Sequence, residues 1–111
     1  MTDRNTAQHY TWGVACDGWH LLASPTLSVI EERMPPGTSE MRHLHTKASQ
    51  FFYVLNGSLS IEVGGQESTL SARQGLHIPA GHPHQVRNLS NAPVEFLVVS
   101  NPPSHGDRTS A

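Results

Sequence analysis

Charge is scarce in this sequence. Only 14 % of residues are charged, the net charge is -2, and no basic run occurs, so nucleic acid is not an expected partner. Long apolar runs are missing too. No stretch nears the roughly 20 residues that span a bilayer, so no membrane partner is expected. Cysteine is limited to Cys16, which excludes an internal disulfide. The first residues, MTDRNTAQHY, hold no apolar core of the signal-peptide kind. With the lone cysteine, that leads us to expect a reducing, cytoplasmic setting. Apolar residues make up a modest 36 %, and Gly, Pro, Ser and Asn fill the difference. Such a mix favours short strands and many turns over long helices. A chain of 111 residues supports one domain and one core.

Turn signals recur at short intervals: PPG at 35–37, NG at 56–57, GG at 64–65, PAGHP at 79–83 and SNAP at 90–93. Between them lie the strand-like runs LSVIEERM, QFFYVL, SLSIEV, GLHI, HQVRN and VEFLVVS. Asn56-Gly57 reads as a strong two-residue hairpin and Gly64-Gly65 as a weaker one. This spacing predicts an all-β antiparallel sandwich or small barrel. We divide the chain into an N-terminal arm with a short strand (1–24), a barrel (25–101) and a C-terminal tail (102–111). Trp12, Trp19, Leu21 and Leu22 are expected to cover one end of the barrel, and the tail to be loosely held.

Histidine is what the sequence has in excess, with 8 in the chain. In HLHTKASQ, strand alternation sends His43 and His45 to one face. The chain turns at 46–49 and returns at Gln50, which shares a face with Phe52 and Val54. A further donor must come from PAGHPHQVRN, which offers His82 and His84. Three imidazoles and an amide oxygen suit one divalent transition metal: Fe, Ni, Zn, Mn, Co or Cu. Gln50 either gives its amide oxygen to that metal or holds a bound water. His9, His20, His77 and His105 read as surface or satisfied core groups. Of Glu31, Glu32 and Arg33, all expected at a solvated strand end, alternation would allow Glu31 or Arg33 to point inward.

These residues resemble the two motifs of the cupin superfamily, in its small single-domain form. The first motif reads Gly37, TSEMR, His43-Leu44-His45, TKAS, Gln50, FFYVLN, Gly57, with Gln where the family has Glu. The second reads Pro79-Ala80-Gly81, HP, His84, QVR, Asn88, with Arg73 where a Gly is expected and a Gly at 75 instead. The resemblance covers roughly residues 25–101. It implies a small conical antiparallel β-barrel of the jelly-roll type, metal ligands at His43, His45, Gln50 and His84, and a homodimer. His82 then falls at the barrel rim.

A neutral Gln in place of a Glu leaves a divalent site more positive. That should make it a stronger Lewis acid and disfavour oxidation of Fe(II), which tilts expectation toward redox-neutral chemistry. Three such reactions fit: isomerisation of a sugar acid, cyclisation of a polyketide, and lyase chemistry beside a carboxylate. Small cupins acting on unsaturated monouronates resemble this chain in their His, His, Gln, His set. They add an Asp and an Arg near a Pro-Pro, where this chain has Val98 and Ser104. Sulfonium-type cupin lyases carry a Tyr where this chain has Val54. A pocket lined by Phe52, Val54 and Val86 would suit an aromatic or polyketide guest. His82 is the candidate for proton transfer, with Tyr53 and the tail residues His105, Asp107 and Arg108 behind it. A dioxygenase, a non-catalytic metal- or ligand-binding cupin, and a metal-free structural domain are the alternatives.

Overall fold

A computed structural model describes all 111 residues. It contains strands and no helix, so no helix is long and apolar enough to cross a membrane. In chain order the strands are β1 (Gln8–Trp12), β2 (Cys16–Ala23), β3 (Ser28–Met34), β4 (His43–His45), β5 (Ser49–Asn56) and β6 (Ser58–Val63). They continue with β7 (Gln66–Ser71), β8 (Gly75–Ile78), β9 (His84–Arg87), β10 (Val94–Asn101) and β11 (Arg108–Ser110). Every ladder is antiparallel.

The strands form a six-stranded sheet ordered β1-β2-β3-β10-β5-β8 and a five-stranded sheet ordered β11-β4-β9-β6-β7. The all-β jelly-roll class expected from the sequence holds, but the conical barrel does not close. No ladder joins the edges β1 and β8 of one sheet to the edges β11 and β7 of the other. The chain passes between sheets at corners instead.

Asn56-Gly57 is one of those corners, which corrects the hairpin expected there. β5 and β6 lie in different sheets. Gly57 has φ of +94°, and a Cβ on it would stand 2.6 Å from the Pro93 carbonyl oxygen. Glycine is therefore required by a close backbone approach as well as by its dihedral. The weaker signal, Gly64-Gly65, is the true two-residue hairpin. It joins β6 to β7 with Val63 opposite Gln66 and positive φ at both glycines, as a type I′ turn needs.

The N-terminal segment holds two strands where an arm with one short strand was expected. β1 and β2 extend the six-stranded sheet as a regular hairpin. Of the four residues expected to cover the core, Trp12 packs against it. Trp19 is buried beneath Arg4, whose guanidinium carbon sits 3.9 Å above the ring, and Leu22 is exposed. The tail also differs from expectation: β11 pairs with β4, so its end is held in the five-stranded sheet.

Alternation builds the core between the sheets. β10 buries Val94, Phe96, Val98 and Ser100, and β5 buries Gln50, Phe52 and Val54. β6 and β9 meet them with Leu59, Ile61 and Val86. Asn88, fully buried, ties the segment after β9 to its surroundings. Its Nδ2 donates to the Met34 and Ala92 carbonyls at 2.9 Å each, and its Oδ1 accepts from Ser90 N and Oγ. Asn88→Ala removes a donor from the buried Met34 carbonyl and breaks the link to the Ala92 and Ser90 turn. Urea unfolding should show a loss of about 2–4 kcal/mol, and a loss below about 0.5 kcal/mol would show that the Met34 carbonyl is satisfied without it.

Candidate metal centre

β4 and β9 pair with His43 directly opposite His84. His45 lies two residues along β4 on the same face. The three imidazoles are buried, and their ligand atoms lie within 4.8 Å of one another. Ring centroids stand 4.5 Å apart for His43 and His84 and 4.8 Å for His43 and His45. Gln50 reaches the same pocket from the opposite sheet.

Backbone acceptors fix two of the imidazoles. His43 Nδ1 donates to the Met41 carbonyl at 2.7 Å, and His84 Nδ1 donates to the His82 carbonyl at 2.9 Å. A carbonyl can only accept, so each Nδ1 carries the proton and each Nε2 keeps its lone pair. Gln50 is oriented in the same way: its Nε2 donates to Ser100 Oγ at 3.0 Å. That leaves Gln50 Oε1 as a buried acceptor with no partner, and His84 Nε2 and His45 Nδ1 are unpartnered too. Orphaned buried polar atoms cost about 1–3 kcal/mol each, so they call for a partner. Donors of this kind, converging on one pocket, fit a divalent transition ion. Burial pushes all three imidazoles toward the neutral, ligating form, His43 down to about 4.

Beside the donors lies a cavity of about 260 Å³. Its walls are more polar than the sequence suggested. Phe52 lines it, as expected, but Val54 and Val86 do not. Both are fully packed in the hydrophobic core behind it. His82 is also misplaced by the sequence reading. It lies exposed on an outer groove with His77 and Leu76, and it serves the centre only through its backbone carbonyl. Tyr53 stacks on Phe51 away from the cavity.

Three acid–base groups missed by the sequence reading line the cavity: Tyr10, Glu32 and Glu40. Alternation on β3 runs opposite to the expected parity. Ser28 and Met34 are buried, which places Glu32 inward, while Glu31 turns to Arg4 at 3.4 Å. The buried Met34 was the available signal. Burial raises the Glu32 carboxyl to about 7 and that of Glu40 to about 8. Glu40 Oε1 accepts from Val86 N at 3.2 Å.

The tail closes the mouth. Ser104, His105, Gly106 and Arg108 line the cavity, and Arg108 stands opposite His45 in the β11–β4 ladder. Asp107 fastens this strap across the β4–β5 turn. It accepts from Thr46 N at 3.2 Å, Lys47 N at 2.9 Å and Ala48 N at 2.8 Å, and from the Thr46 hydroxyl. One carboxylate thus holds the turn that carries Gln50 back toward the histidines.

A cupin-domain family model matches residues 30–100, well over half of the chain. The chain belongs to the cupin family. Among curated cupin relatives, the tetracenomycin polyketide synthase protein TcmJ of Streptomyces glaucescens is 29 % identical over 69 residues. That match takes in 62 % of this chain and 46 % of TcmJ, so the chain spans about half the length of that relative. The polyketide cyclase RemF from Streptomyces resistomycificus superposes with a TM-score of 0.86 at 18 % identity, covering 100 % of this chain and 84 % of RemF. A cupin-superfamily sugar phosphate isomerase from Silicibacter pomeroyi DSS-3 superposes with a TM-score of 0.76 at 24 % identity, over 91 % and 74 % of the two chains. Both structural likenesses concern the fold.

In this cupin the strap can be tested by acid. The hydrogen bonds from Thr46, Ala48 and Lys47 hold the Asp107 carboxyl down at about 2, from an ordinary value of 3.8. A depressed carboxylate stabilises the fold above its unfolded value, and that contribution disappears as pH falls from 3.8 through about 2. Asp107→Asn should lower the Tm at neutral pH, flatten the acid loss below pH 4 and speed tryptic cleavage after Lys47. Wild-type cleavage rates in the variant would contradict a fastening role.

Proposed function

We propose that this chain is a metal-dependent cupin enzyme that moves protons on a small, anionic, oxygen-rich molecule without net oxidation. The observation that carries the reading is the clustering of His43, His45 and His84 beside the Gln50 amide. The Gln50 Nε2 donates to Ser100, and its oxygen, like His84 Nε2, is buried without a partner, which supports a place for both in the metal shell. His43, His45, Gln50 and His84 would hold one divalent transition ion. When bound, such an ion supplies Lewis acidity to a carbonyl or hydroxyl oxygen. Four neutral donors would leave its charge uncompensated, which favours developing negative charge on that oxygen.

The cavity supports the substrate class. Its volume of about 260 Å³ and its carboxyl, hydroxyl and histidine lining suit a compact polar molecule. Arg108, the one Lys or Arg among the lining residues, would meet an acidic group on it. Isomerisation of a hydroxy-carbonyl compound and aldol-type ring closure begin alike, with loss of a proton beside a carbonyl. The name of the sugar phosphate isomerase points to the first, and those of TcmJ and RemF to polyketide work of the second kind. The small, polar cavity favours isomerisation. We read the homodimer expected from the sequence as part of this proposal, through the open sheet edges and exposed Phe51 and Leu55.

Metal analysis tests the reading. Protein loaded with Fe, Ni, Zn, Mn, Co or Cu and then desalted should retain about one ion per chain, and His45→Ala or His84→Ala should abolish retention. Retention of none of these ions by the wild type would sink the proposal. Ser100→Ala, which frees the Gln50 amide to rotate, should weaken affinity about tenfold in a chelator competition. Light scattering should return twice the chain mass of 12.1 kDa; the monomer mass would remove the dimer from the reading.

A further inference from the structure

Tyr10, Gly18 and Glu32 stand in one row across three strands. Tyr10 is opposite Gly18 in the β1–β2 ladder, and Gly18 is opposite Glu32 in the β2–β3 ladder. A tyrosine two strands away from a glutamate reaches it only if nothing rises between them. At position 18 nothing does, because a Cβ there would run into Cζ and Oη of Tyr10. The ring lies across the bare backbone of Gly18, and its hydroxyl donates to Glu32 Oε2 at 2.9 Å. No other hydrogen bond engages the Glu32 carboxylate, so Oε1 is left for the cavity that Glu32 and Tyr10 both line.

We propose that Glu32 is the catalytic base of this cavity and that Tyr10, seated over Gly18, is the residue that positions it. The inference rests on the redox-neutral reading above and names the proton carrier that reading lacked. Glu32 Oε1 takes a proton from a carbon beside a carbonyl. The C–H electron pair becomes a C=C bond, and the carbonyl π pair moves onto its oxygen. The carboxylic acid so formed returns the proton to the same carbon as the carbonyl re-forms. In a hydroxy-carbonyl substrate it can instead protonate the former carbonyl carbon while the hydroxyl proton of the first carbon passes to the former carbonyl oxygen, so the C=O moves one carbon along with no net oxidation or reduction. Burial brings the Glu32 carboxyl to about 7, against the pull of the Tyr10 hydrogen bond and of Arg108, which suits a base working near neutrality.

The test is proton exchange into carbon. Metal-loaded wild type and variants are incubated in D₂O with pyruvate, dihydroxyacetone or acetoacetate, and deuterium uptake is followed by NMR. Wild type should exchange at least one probe faster than buffer, and Glu32→Gln should lose at least about a hundredfold of that rate with its metal content unchanged. Tyr10→Phe and Gly18→Ala should both move the acid limb of the pH–rate profile upward, because each removes the hydrogen bond that favours ionised Glu32. The other titratable or charged groups around this pair are Cys16 and His20 from β2, Glu40, His43 and His45 at β4, and His105 and Arg108 from the tail, and all are kept in these variants. Exchange in Glu32→Gln within about threefold of wild type overturns the assignment and leaves the metal reading standing. Loss of metal from Glu32→Gln overturns it as well, by placing Glu32 in the metal centre. An unmoved acid limb in Tyr10→Phe removes the positioning role. A wild type that exchanges none of the three probes overturns this inference together with the reading beneath it.

Discussion

A handful of polar atoms buried without partners governs this molecule. His84 Nε2, His45 Nδ1 and Gln50 Oε1 are shut away from water and accept no hydrogen bond. A protein of this size has a net stability of only about 5–15 kcal/mol, and a few orphaned groups are a large fraction of it. Hydrogen bonds elsewhere on the side chain hold two of these atoms, His84 Nε2 and Gln50 Oε1, in place. Backbone carbonyls fix the ring faces of His43 and His84, and Ser100 fixes the face of the Gln50 amide. An arrangement that spends hydrogen bonds on keeping lone pairs free is the one that the proposed divalent ion would use.

The rest of the fold follows from bringing two sheets to that point. β4 and β9 supply the histidines from the five-stranded sheet, and β5 and β10 supply Gln50 and its orienting serine from the six-stranded one. The turn between β4 and β5 therefore decides whether the donors meet. Asp107, from the far end of the chain, clamps that turn through its backbone N–H groups. The same strap places His105 and Arg108 at the cavity mouth.

The three-histidine cluster was legible in the sequence because its spacing is local. His43, His45 and Gln50 span one turn, and His84 sits at a fixed place in a second motif. Surroundings that depend on distant pairing were not legible. Asn56-Gly57 has the composition of a hairpin, but the sheet that each flanking strand joins is decided by long-range partners. β7 escaped notice because only Leu70 in it is buried. Parity on β3 was read from its charged end, where Glu31, Glu32 and Arg33 give no apolar reference, whereas Met34 beside them would have set it. Nor does any local pattern tie Asp107 to a turn some 60 residues away. The acid–base lining was missed for that reason: Tyr10, Glu32 and Glu40 come from three segments that only the assembled sheets bring together.

X-ray absorption at the metal edge, on protein loaded with a single divalent ion, tests the central claim most directly. The account predicts a first shell of three imidazole nitrogens and at least one oxygen at about 2.0–2.2 Å, with the oxygen component altered in Gln50→Ala. A spectrum showing an ion ringed by water, without imidazole scattering, would contradict it.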